Sequence, residues 1–136
     1  MKKVMKLFVV VMAVVAMASC AEKKSLEVLG GEWNVVSVGE LVVPDSVGAF
    51  IGFDLAEQII YGCTGCNQLT GALPAEVKPE VPMFAALGST RMMCIDMTVE
   101  DAMLPALGQV VDFNVEGENL YFLDANGDAV MSLAKR

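Results

Sequence analysis

The chain has no histidine among its 136 residues. The commonest general base is therefore missing, and with it the usual hydrolytic triads. Serine with lysine does not fill the gap, because Lys78 lies in a proline-rich stretch and Lys135 at the end of the chain. Basic residues are also few, nine against 17 acidic ones. No basic stripe exists to hold nucleic acid. The only long apolar run, Leu7 to Met17, is too short to cross a bilayer as a helix. Aromatic side chains are sparse, and the single tryptophan, Trp33, is expected to anchor a core. No cofactor motif is present, and the expectation is a protein that is not an enzyme.

What is present begins with a leader. Lys2, Lys3 and Lys6 precede the apolar run, which ends in Met17-Ala18-Ser19-Cys20. That order is the charged, apolar and small-residue sequence of an export signal. A cysteine directly after small residues resembles the bacterial lipobox, whose thiol takes the diacylglyceryl group. Residues 1–19 are thus expected to be removed, Cys20 to be lipidated, and 20–28 to form a tether below a domain over 29–136. Removing 19 of 136 residues leaves 117, enough for one core. Three of the nine bases leave with the leader, so six face 17 acids and the net charge becomes −11. Such a body is repelled by anionic lipid, so the membrane is reached through acyl chains.

From Leu29 onward short runs of Val, Ile, Phe and Tyr alternate with Gly, Pro, Asn and Asp, the texture of strands. Strands are expected over Glu32–Val38, Leu41–Val43, Phe50–Leu55 and Gln58–Cys63. Gly62 to Gly71 reads as one turn, Leu73 to Pro82 as a surface loop with three prolines, and Val81–Leu87 as a short edge strand. Thr98-Val99-Glu100-Asp101 resembles a capping box opening a helix, with Met103, Leu107 and Val110 on its apolar face. Pro105 predicts a kink or a restart in that helix, and Gly108 its end. Val111–Val115, Leu120–Leu123 and Ala129–Leu133 form a closing meander. Asp124 to Asp128 is dense in oxygen donors but lacks the distal glutamate of a calcium loop, and Asn126-Gly127 is a hairpin signal.

With Cys20 acylated, Cys63, Cys66 and Cys94 remain, and an oxidising envelope pairs at least two. Joining Cys66 to Cys94 closes a loop of about 29 residues and contributes roughly 3 to 4 kcal/mol; joining Cys63 to Cys66 contributes about 2. The long bridge is favoured, leaving Cys63 as a free or exchanging thiol. Two sharper readings compete. Cys63-Thr64-Gly65-Cys66 is a C-x-x-C, but Asn67 to Gly71 offers no helix to lower a thiol pKa. Three thiols with Met92, Met93 and Met97 could take a soft metal, although oxidation removes thiolates and methionine more often fills cores. The expectation is no metal.

In order along the chain stand G-E-W-x-V, F-I-G-F-D, G-C-N with a following glycine, T-R-M-x-C, an acidic helix start and a strand meander. This set resembles the META/HslJ domain family of bacterial envelope lipoproteins, from about Leu29 to Leu133. The resemblance implies an α+β fold, with a curved, mostly antiparallel and partly open barrel-like sheet and one helix packed on it. It implies envelope stress tolerance, an outer-membrane location, no established catalytic activity, and a protein partner or apolar ligand of unknown identity. The structural turn would be built on Gly62, Gly65, Asn67 and Gly71. A thiol–disulfide sensor or exchanger using Cys63 and Cys66 is the alternative.

Overall fold

The computed structural model describes residues 25–84 and 86–136. The leader and Cys20 lie outside these residues. Nine strands form one open, wholly antiparallel sheet: β1 Gly31–Val38, β2 Leu41–Val42, β3 Phe50–Asp54, β4 Ile59–Cys63, β5 Gln68–Ala72, β6 Gly88–Ser89, β7 Asp112–Glu116, β8 Asn119–Leu123 and β9 Ala129–Lys135. The order across the sheet is β6-β5-β4-β3-β1-β9-β8-β7, with β2 as a short addition to β1. It is curved without closing into a barrel, and one helix, α1 (Thr98–Gln109), packs on it against β1 and β9.

Alternation explains the core. Trp33 and Val35 of β1, Ile51 and Phe53 of β3, Ile60 of β4 and Leu69 of β5 are buried, and so are Phe113, Leu120, Phe122, Met131 and Leu133 of the meander. Phe53, Phe84 and Phe122 meet as a ring cluster with centroids 5.4 to 6.3 Å apart. The indole N–H of Trp33 donates to the Leu29 carbonyl at 2.8 Å, which satisfies its only polar atom inside the core. Leu29 belongs to a 3-10 turn, Glu27–Leu29, and Leu26 is buried as well. The segment read as tether is therefore partly packed body from Leu26 onward.

Four expectations are corrected. Gly62 to Gly71 is not one turn, because β5 occupies its second half and pairs with β4 from Ile59↔Ala72 to Cys63↔Gln68. Val81–Leu87 is not an edge strand. Met83 and Phe84 plug the core there, and the edge beside β5 is taken by Gly88–Ser89. Pro105 does not make the helix restart: α1 runs unbroken to Gln109, one residue past the expected end. Asp101 and Pro105 both lie on its exposed face, so the carbonyl that proline leaves without a donor is on the side of the helix away from the core. Finally, the helix start is not capped by Thr98. Asp96 Oδ1 accepts the Thr98 N–H at 2.9 Å, and the Thr98 hydroxyl and amide together hold the Asp96 carboxyl below its ordinary pKa.

Candidate functional site

The β4–β5 hairpin tip is Thr64-Gly65-Cys66-Asn67, and three parts of the chain converge on it. Its own turn is closed by the Thr64 N–H on the Asn67 carbonyl at 2.9 Å. The Thr64 hydroxyl accepts the Asn67 N–H at 3.0 Å. Gly65 adopts φ +92, a conformation L side chains rarely hold, and a Cβ there would meet Val47 Cγ1 at 2.3 Å.

Asn67 is buried and uses both ends of its amide. Its Oδ1 accepts the Met92 N–H at 2.7 Å and the Thr90 hydroxyl at 2.8 Å. Its Nδ2 donates to the Met92 carbonyl at 3.0 Å and to Glu100 Oε1 at 2.7 Å. Residues 90–92 are thus held to the hairpin much as an extra strand would be, with the Gln68 N–H on Thr90 Oγ1 at 3.0 Å extending the pairing. A disulfide joins Cys66 to Cys94 immediately beyond. Cys63 is a half-buried thiol whose sulfur accepts the Gly65 N–H at 3.2 Å.

Glu100 completes the arrangement. It sits in the first turn of α1, yet only 6% of it is exposed. Its Oε1 accepts the Thr64 hydroxyl at 2.8 Å as well as the Asn67 amide. The acidic side chain read from sequence as a capping group is the link between helix and hairpin. A periodicity signal was available: Glu100 follows Val99 and precedes Met103 on the buried side of α1.

The remaining expected turn residues are strand residues. Gly62 is buried in β4, where a Cβ would lie 2.3 Å from the Phe50 carbonyl oxygen of the neighbouring strand. Gly71 pairs with Ile60 in β5 and lets Leu87 and Ala86 pass within 3.1 to 3.2 Å of the position a Cβ would take. Of the expected set, Gly65, Cys66 and Asn67 come together with Cys94, while Cys63 ends β4 immediately before the tip, outside the disulfide.

The pinned segment carries apolar side chains outward. Met92 is 56% exposed, Met93 87% and Ile95 109%, with Arg91 also exposed. Arg91 is the only base between Lys78 and Lys135. Among the described residues, concave surfaces lie elsewhere, one of them a pocket of about 250 Å³ beside Pro74, Lys78, Val81, Pro82 and Met83. A cleft of about 250 Å³ lies between α1 and the sheet edge, lined by Leu69, Phe84, Leu87, Gly88, Leu104 and Gly108. A groove of about 340 Å³ runs beside Leu26, Leu55, Leu73, Pro74 and Ala75. Sites for small molecules usually span about 300 to 1,000 Å³, so the cleft falls short and the groove barely qualifies. Among the described residues no group of histidine, cysteine or acidic side chains is arranged to hold a metal, and no helix is long and apolar enough to cross a membrane.

The solved NMR structure of a protein from Burkholderia xenovorans has the same fold: TM-score 0.61 over 81% of this chain and 85% of that one, at 21% identity. No curated protein matches the chain significantly. The META domain model matches residues 24–136, which takes in the whole sheet, the hairpin tip with its disulfide and the helix joined to it, and on that match the chain belongs to the META-domain family.

Proposed function

We propose that this protein is a non-enzymatic, lipid-anchored envelope protein that binds a protein or apolar partner through the Arg91–Ile95 segment, in stress tolerance or envelope assembly. The observation that carries the reading is the outward setting of Met92, Met93 and Ile95 on a backbone held by Asn67 and a disulfide. A mobile loop would fold such side chains back onto the body. Holding them in water costs hydrophobic free energy, and contiguous exposed apolar groups mark interaction sites. Methionine suits a surface that must adapt to its partner. Arg91 adds a cation to a body that is otherwise acidic. The anchor reading rests on the Met17–Cys20 motif alone.

The test is a photo-crosslinking residue in place of Met93 in the full chain, expressed in an envelope-bearing host. A discrete adduct that disappears with Ile95→Asp supports the reading. No adduct, or one indifferent to Ile95→Asp, defeats it. Mass measurement of the N-terminal peptide tests the acyl group on Cys20 separately.

The thiol-exchange alternative has one observation in its favour, the Gly65 N–H directed at the Cys63 sulfur. Against it, Cys66 is engaged with Cys94 and the motif lies on a β-hairpin without the helix N-terminus that activates such thiols. Alkylation of Cys63 at physiological pH, as fast as that of an activated thiol and followed by release of Cys94, would reinstate it.

A further inference from the structure

We infer that Met92 and Met93 form an oxidant-modification site, each sulfur taking one oxygen atom from a two-electron oxidant such as hydrogen peroxide. The described methionines divide sharply. Met83, Met103 and Met131 are buried among apolar neighbours. Met97 is half-buried, and its sulfur accepts the Cys94 N–H at 3.4 Å, so a lone pair is engaged. Met92 and Met93 stand in water on consecutive positions. Their backbone is fixed on one side by the Asn67 amide and on the other by the Cys66–Cys94 disulfide, so they do not reach shelter by local folding.

The step needs no protein base and no metal. A sulfur lone pair attacks the terminal peroxide oxygen, the O–O bond breaks, and a sulfur–oxygen bond forms as water leaves. Sulfur loses two electrons, the two peroxide oxygens gain one each, and the transferred oxygen gives its proton to the departing hydroxide, which leaves as water. The sulfoxide returns to thioether when a reductase and two thiols remove the oxygen as water, forming a disulfide. The disulfide that holds the segment is already oxidised, so the same peroxide leaves that restraint in place.

Modification turns two of the three outward apolar side chains polar and leaves Ile95 alone. For the docking surface this means a switch: burying an unpartnered sulfoxide oxygen should weaken association by at least about tenfold per methionine. That consequence rests on the proposed binding role. The modification itself rests only on exposure and chemistry.

The experiment is a hydrogen peroxide time course on the full chain, read residue by residue by peptide mass spectrometry. Met92 and Met93 should gain oxygen at least about tenfold faster than Met83, Met103 and Met131, and urea should erase the difference. Similar rates in the folded chain, or a bias that survives urea, overturn the site. Recovery of the original mass with methionine sulfoxide reductase and a dithiol is expected; its failure refutes reversibility. Repeating the crosslinking experiment with the probe moved from Met93 to Ile95 separates the two claims. An adduct lost on oxidation and regained on reduction supports the switch, and an adduct unchanged by oxidation refutes it while leaving the chemistry of the methionines standing on its own readout.

Discussion

Replacing Asn67 by alanine should cost about as much stability as removing the disulfide. Beyond a long contact from Nδ2 to the Cys66 sulfur, the side chain makes four hydrogen bonds, three to neutral groups and one to the Glu100 carboxylate. At roughly 1 kcal/mol for each neutral bond and about 2 for the charged one, the ceiling is near 5 kcal/mol. Thr90 and Met92 border solvent, so water recovers part of their share, and about 3 to 4 kcal/mol remains. The bridge closes a loop with a sequence separation of 28, which the chain-entropy relation values at roughly 3.5 kcal/mol. Asn67→Asp sharpens the test, because it keeps the shape but sets a second carboxylate where the amide now lies 2.7 Å from Glu100. Two such charges at about 3 Å repel by about 5 kcal/mol at an effective dielectric near 20. Protonating one of them at neutral pH costs less, about 4 kcal/mol, so the pair takes up a proton and the loss stops there. Since folding then binds a proton, N67D should regain stability as pH falls toward about 4. Urea unfolding followed by the fluorescence of buried Trp33 measures all three proteins, with C66S/C94S beside them. A loss under about 1 kcal/mol for N67A, or an N67D variant indifferent to pH, would refute the asparagine as organiser and leave the crosslink alone in that role.

Gly62→Ala should lose roughly 2 to 3 kcal/mol in the same unfolding assay, because its Cβ would lie 2.3 Å from a ladder carbonyl rather than a flexible side chain. Tyr61, whose hydroxyl donates to Glu32 at 3.0 Å, has its pKa raised by burial and then by that carboxylate. Its contribution is complete below the unfolded value of about 10 and is lost as pH rises through the folded value. Phenolate absorbance should show one transition above the free-tyrosine range that Tyr61→Phe removes. Asp96 is shifted the other way by Thr98, so its contribution to the start of α1 is present above the unfolded carboxyl value and lost as pH falls through the folded one. Circular dichroism of Asp96→Ala should show a shorter helix at neutral pH and less further loss on acidification than the parent.

The strands that the sequence shows plainly are those with two or more inward apolar residues: β1 through Trp33 and Val35, β3 through Ile51 and Phe53, and the β8–β9 pair. Strand β5 escapes notice because Gln68-Leu69-Thr70-Gly71-Ala72 offers only Leu69 to the core. Its place is set by pairing on both sides, which periodicity does not report. The apolar content of Val81–Leu87 misleads for the opposite reason, since Met83 and Phe84 fill space without joining a ladder. At the site, loop-closure entropy ranks the Cys66–Cys94 bridge above its rival, and the disulfide lies there. Glu100 was hidden by its position, because a helix-start acid already has an adequate local explanation. Only the third dimension brings Thr64 and Asn67 to it.

The sheet order has a consequence for when this protein can fold. Its first and ninth strands are neighbours in the middle of the sheet, with Trp33 opposite Lys135. During synthesis, the half from β1 to β6 waits with one flank of β1 unpaired until β9 emerges. Sequence-distant pairing of this kind is slow and late. A polypeptide so wired stays unfolded until its ninth strand is made, and removal of Ala129–Arg136 should therefore abolish native structure throughout the body rather than trim one margin of it.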